Sequence, residues 1–267
     1  MPAAVTGAAT PVGALCDALQ AASARAAESM RLVTDPRPTA VGVWSIGETA
    51  NHLSGSAGYF LAAARELAEP ERLEEADAAH ARALAADPER DPRILADRLE
   101  RNEQALIAWA RAVEGDPPVQ PFAGVVLPLS GLLGIELGEV LVHGFDMARA
   151  AGLPWRIDPH HALLVHRAYG LLLPHLVDAE RAAGLRLRLE LRIRGAQPQV
   201  IVIENGDLRV EPECGQRADC HLSVDPVTYL LLTWNRIGPL RPLLQGRLLL
   251  WGRRPWRMSA FKSAIRT

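Results

Sequence analysis

Cysteine is scarce in this chain. Cys16, Cys214 and Cys220 are the only three, too few and too scattered to staple a disulfide framework, so reduced thiols and a cytoplasmic setting are expected. Long apolar runs are missing as well. The best, residues 127–141, is broken by Glu136 and Glu139, which excludes a membrane-spanning helix there. The opening MPAAVTGAAT lacks the basic head and sustained apolar centre of a secretion signal. A net charge of −2 gives no reason to expect a nucleic-acid partner. Lysine occurs once, as Lys262, among 29 basic residues; with the abundant alanine, this points to a GC-rich genome rather than to a functional device. Also absent are a P-loop, a Gly-x-Gly-x-x-Gly after a strand and a Gly-x-Ser-x-Gly. Their absence removes the usual sequence signs of nucleotide binding and serine hydrolysis.

What is present suits a globular protein: 49% of residues are hydrophobic and 22% charged, and 267 residues suffice for two compact domains. Charge is unevenly spread. Residues 1–180 carry a net −10 and residues 181–267 a net +8. Such halves would dock on each other or frame a polar cleft; alternatively, each simply carries its own solvated surface.

Helical periodicity dominates the first part. Residues 12–32 read as an alanine-rich helix with Leu15, Leu19 and Leu32 on its apolar side. Ser45 with Glu48 is a capping box that opens a second helix, expected to carry His52, Tyr59 and Leu67 inward. Asp91-Pro92 opens a third, with Ile94, Leu95, Leu99, Leu106 and Val113 as its stripe. Residues 115–128 are rich in proline and read as a loop, and a fourth helix spans 130–150 and stops at Gly152. A fifth helix begins at Asp158-Pro159 and is ended or kinked by Pro174. The period then changes to strict alternation in LRLRLELRIR, residues 185–194, a half-buried strand. Residues 199–203 and 208–210 flank Asn205-Gly206 as a hairpin. Strands at 219–224 and 247–251 and helices at 225–234 and 258–265 complete the chain. The fold class expected is therefore α followed by α+β: a four-helix bundle over residues 1–155, then a smaller α+β domain over residues 156–267.

Chemistry concentrates on three residues. Glu139 and His143 lie four apart on one helix face, and His52 sits among Ile46, Leu53 and Tyr59 on another helix. Two imidazoles and a carboxylate form a divalent-metal donor set with open positions, as catalytic sites require. Spacing alone equally fits a core histidine and a chance Glu–His pair. Asp146, on the same face, either orients His143 or pairs with Arg149. Cys214, Cys220 and His221 lack a Cys-x-x-Cys pair, and the histidines at 160, 161, 166 and 175 lack an acidic partner.

Two segments narrow the choice. WSIGETANHL at 44–53 and EVLVHGFDMARA at 139–150 resemble the DinB-like, mycothiol-dependent maleylpyruvate isomerase family. That family pairs a tryptophan eight residues before a His-Leu with a Glu-x-x-x-His-x-x-Asp-x-x-x-Ala helix, and both patterns are complete here. The resemblance covers residues 10–152 and implies that His52, Glu139 and His143 bind zinc or a similar divalent ion, with mycothiol as co-substrate. From Leu187 onward the chain looks like a sterol-carrier-type domain, through ADCHLSV at 218–224 and QGRL at 245–248 leading into Trp251-Gly252. In some relatives an arginine of this domain reaches the active site. Arg236 stands near that position but lacks the family's preceding glycine, whereas Arg247 has one.

The expected function is thus a metal-dependent enzyme that ionises a low-molecular-weight thiol and transfers it to a small electrophile. The alternatives are cis–trans isomerisation of maleylpyruvate type and, in another class, a non-catalytic carrier of an apolar ligand. No nucleic-acid or membrane partner is expected, and an actinobacterial source agrees with the composition.

Overall fold

The computed structural model describes residues 12–213, 215 and 217–266; Cys214 lies outside them. They form two compact units, one ending at Ile157 and one beginning at Asp158. In chain order the first runs α1 (Val12–Leu32), β1 (Thr39–Val41), β2 (Trp44–Ser45), α2 (Ile46–Ala64), α3 (Ala76–Ala86), α4 (Pro92–Ala112), β3 (Pro118–Phe122), β4 (Val125–Pro128) and α5 (Leu129–Ala150).

The four long helices make a bundle in which α1 and α2 each pack against both α4 and α5. Their sequences dictate the faces. Leu15, Leu19, Ala22, Ala26 and Met30 recur at helical spacing on α1 and are buried. On α4, Leu95, Leu99, Leu106 and Ala110 do the same. Alanine on α1 lets neighbouring helices approach closely. α5 is buried along nearly its whole length, as a sequence apolar on all sides requires. The ends are capped as expected: Ser45 Oγ accepts from Glu48 N at 3.2 Å while Glu48 Oε2 accepts from Ser45 N at 2.8 Å. Asp91 accepts from Arg93 N at 2.9 Å, with Pro92 in the first turn.

The structure departs from the pattern in several places. Residues 118–128, expected as loop, form the hairpin β3–β4. Val119, Val125 and Leu127 point inward in alternation, and Gly124 turns the chain at φ +77°. Its prolines are tolerated because a two-stranded ribbon leaves outer N–H positions unpaired. α3 was not foreseen: only Leu84 is buried on it, so it has no apolar stripe to read. Leu32, Leu67 and Ile94, expected inside, are 60%, 66% and 50% exposed, because Leu32 is the last residue of α1, α2 stops at Ala64 and the α4 stripe runs through Leu95 instead. α4 likewise ends before Val113.

The second unit contains α6 (Pro159–Leu172), β5 (Leu187–Ile193), β6 (Gln199–Glu204), β7 (Asp207–Pro212), β8 (Cys220–Val224), α7 (Pro226–Thr233), α8 (Leu240–Leu244), β9 (Leu248–Gly252) and α9 (Arg257–Ala264). Its five strands order as β7-β6-β5-β8-β9, antiparallel except for the β5–β8 pair. Leu187, Leu189, Leu191 and Ile193 alternate onto the core face beside Ile201, Ile203, Leu222 and Val224. Asn205 (φ 56°) and Gly206 (φ 87°) make the tight β6–β7 turn, where two left-handed residues match the strand twist. The fold is thus a helical N-terminal region followed by a small sheet-containing domain. Among the described residues no helix is long and apolar enough to cross a membrane.

Candidate metal centre

Three bundle positions bring the centre together. The capping box starts α2 at a fixed residue, which places His52 about two turns in, on the face toward α5. Glu139 and His143 leave one face of α5, a turn apart. Gly144 lets that turn sit against Trp155: a Cβ there would meet the indole at 2.3 Å. The same indole donates Nε1–H to Leu141 O at 3.1 Å, so the loop after α5 grips the helix beside His143.

The geometry is convergent. His52 Nε2 and His143 Nε2 each lie 3.2 Å from Glu139 Oε2, and one donor atom from each residue falls within 4.8 Å of the others. The histidine side chains are 9% and 7% exposed and the carboxylate 18%, so the cluster is shielded but not sealed. Asp146, fully buried, places Oδ2 at 3.3 Å from His143 Nδ1, on the far side of that ring. Trp44 packs against His52 at 5.2 Å between ring centroids. This donor set could hold a divalent ion: both imidazoles aim Nε2 at one point, the other nitrogen of His143 faces a carboxylate, and a third ligand is anionic.

Electrostatics agree with a cation position. Burial would raise the Glu139 carboxyl, but hydrogen bonds with His143 and His52 outweigh it and hold it far below its ordinary range. Burial would likewise lower His143, yet Asp146 and Glu139 lift it to about 9. Without metal a proton on His143 thus supplies the positive charge that the carboxylates demand.

Two features went unread in the sequence. His80, on α3, brings a second imidazole to 4.4 Å from the His52 ring and 6.1 Å from Trp44. Its own helix shows no apolar period, so nothing flagged it. Burial, with His52 nearby, depresses it to about 4, so it is neutral at neutral pH. The second is a pair of core carboxyls, Glu103 on α4 and Glu136 on α5, exposed by 1% and 0%. Ser56 donates to Glu136 Oε1 at 2.6 Å. Burial, and for Glu103 the neighbouring Glu136, push both upward, Glu136 to about 7. Glu103 falls in the α4 stripe between Leu99 and Leu106, a charge at a core position that could have been noticed.

The two candidate arginines belong to the second unit. Arg236 donates to Trp234 O at 2.6 Å and lies over that indole. Arg247 pairs with Asp225, the α7 cap, at 3.0 and 3.2 Å.

No curated protein matches the chain in sequence. In fold it is similar to the crystal structure of the mycothiol-dependent maleylpyruvate isomerase, with TM-score 0.51 and 14% identity over 86% of this chain and 91% of that one. A histidine-to-alanine mutant of that enzyme gives TM-score 0.51 and 13% identity over 83% and 88%. The stereoselective inverting sec-alkylsulfatase from Pseudomonas sp. is also matched, at TM-score 0.36 and 18% identity, over 52% of this chain; the chain spans only 24% of that protein's length. At these identities the solved structures speak for the fold. By its sequence the chain joins two families: residues 16–148 belong to the mycothiol maleylpyruvate isomerase N-terminal domain and residues 172–253 to the SCP-2 sterol transfer family.

Proposed function

We propose that the protein is a metal-dependent enzyme of thiol chemistry, using mycothiol as nucleophile toward a small electrophile. One observation carries the reading: two buried imidazole Nε2 atoms converge at 3.2 Å on Glu139 Oε2. In this reading His52, Glu139 and His143 hold zinc or a similar divalent ion. Asp146 orients the His143 ring and makes it a better donor, while Trp44 packs on His52 and screens it from water. Two neutral imidazoles and one carboxylate leave a divalent ion net positive, which is the charge that deprotonates an incoming thiol near neutral pH.

The thiol's proton passes to solvent and its sulfur becomes nucleophilic. If it displaces a leaving group, the thiol is transferred; if it adds reversibly across a carbon–carbon double bond, rotation about the resulting single bond gives cis–trans isomerisation. Transfer is the first reading. Isomerisation is the second, supported by a similarity that spans 91% of the length of an isomerase of that type. The SCP-2 match also supports carriage of an apolar ligand, in which the bundle would be structural.

The test is direct. Protein purified without chelator and reconstituted with zinc should carry about one equivalent, lost in His52→Ala, Glu139→Ala and His143→Ala, because a tight site needs all its ligands. Calorimetry with mycothiol, glutathione and cysteine should show binding with proton release that the His143 variant lacks. Absence of metal, or fatty-acid binding indifferent to His143 with no thiol binding, would replace this reading with the carrier.

A further inference from the structure

His80 is the one imidazole at the centre to which the thiol reading gives no task. It enters from α3, outside the four bundle helices. With Leu84 its only buried residue, α3 packs lightly on the bundle. Polar contacts fix its C-terminal end: Arg90 donates to Leu84 O at 2.9 Å and to Asp87 O at 2.6 Å, and Arg98 pairs with Asp87. That corner is in turn anchored on α2. Asn51 Nδ2 donates to Glu89 O at 3.1 Å, and at Gly47 a Cβ would meet Arg90 O at 2.8 Å. The arrangement holds a largely exposed helix where His80 meets the rings of His52 and Trp44 edge-on.

The His80 ring makes no hydrogen bond with any described residue, although its edge-to-face contact puts it among the donors. It is not one of the three residues whose ligand atoms cluster within 4.8 Å. A half-buried imidazole beside a donor set, outside it and with no protein hydrogen bond of its own, is placed to meet whatever fills the open side of that set. We infer that His80 is a thiol-binding residue: its ring hydrogen-bonds the co-substrate seated at the open side of the His52–Glu139–His143 set. This rests on the thiol reading above and adds to it a fourth side chain, from a different element, that recognises the ligand rather than the metal.

The test uses the full chain with cobalt in place of zinc, because sulfur-to-cobalt charge transfer reports thiol binding without turnover. Wild type, His80→Ala and His80→Gln are titrated with mycothiol, and metal content and melting temperature are measured for each. Alanine is the best helix former, so α3 survives the first change, while glutamine restores a side-chain donor and acceptor. The expected result is full metal content in all three, mycothiol binding weakened about tenfold in His80→Ala, as for a hydrogen bond to a charged group, and partial recovery in His80→Gln. Unchanged mycothiol affinity in His80→Ala would overturn this role and leave the thiol reading standing. Loss of metal in His80→Ala would also overturn it, by making His80 a fourth ligand. If wild type binds cobalt and shows no charge-transfer band with mycothiol, the thiol reading falls and this role falls with it.

Discussion

Replacing Glu136 with glutamine should stabilise the protein at alkaline pH and leave it nearly unchanged at pH 5. Glu103 and Glu136 face each other inside the bundle, exposed by 1% and 0%, with Ser56 as a hydrogen-bond donor to Glu136. Both carboxyls hold their protons more tightly folded than unfolded, Glu136 to about 7. A folded pKa above the unfolded one means that the native state binds more protons, so stability falls as pH rises between those values. For Glu136 the window opens near its ordinary 4.5 and closes near 7. At about 1.4 kcal/mol per unit, the loss across it is on the order of 3 kcal/mol. Glu136→Gln removes the acid that titrates in this window and keeps a polar side chain against Ser56 and Glu103, so most of that loss should disappear. At pH 8 the variant should gain roughly 2–3 kcal/mol over wild type, about 5–10 °C in melting temperature for a chain of this size. Thermal unfolding of both proteins from pH 5 to pH 8 measures it. Parallel curves, with the variant never gaining on wild type, would refute the idea that burial holds a proton on Glu136 through this window.

Other expectations follow from the centre and its supports. Metal-free protein should lose stability between pH 6.5 and 9, because His143, lifted to about 9, contributes below its unfolded pKa and stops as it deprotonates; saturating zinc should flatten this part of the curve. Asp146→Asn should weaken zinc binding about 10- to 100-fold with little effect on melting, read by competition with a chromophoric chelator. Gly144→Ala forces a methyl into Trp155 at 2.3 Å and should cost about 1–3 kcal/mol, with a change in indole fluorescence as that ring is displaced. Ser45→Ala removes half of a capping box and should cost about 1 kcal/mol in urea unfolding.

Much of this protein is legible without coordinates, and the legible parts share a physical cause: they are local. A capping box, an Asp-Pro start, a Gly stop, a ten-residue alternation and an Asn-Gly turn each specify backbone within a few residues of themselves. That is why the bundle helices, the β6–β7 hairpin and the shared face of Glu139 and His143 could be read from the order of residues. The hairpin at 118–128 and α3 could not. One hides its alternation among prolines, and the other has no apolar face and is held by Arg90 and Arg98 from outside itself. The meeting of His52 with Glu139 across 87 residues, the arrival of His80 beside them and the burial of Glu103 against Glu136 depend on how α2, α3, α4 and α5 pack. Sequence determines which side chains a helix presents on each face; only the packing of one helix against another decides what those side chains meet, because contacts between distant residues carry no local backbone signal.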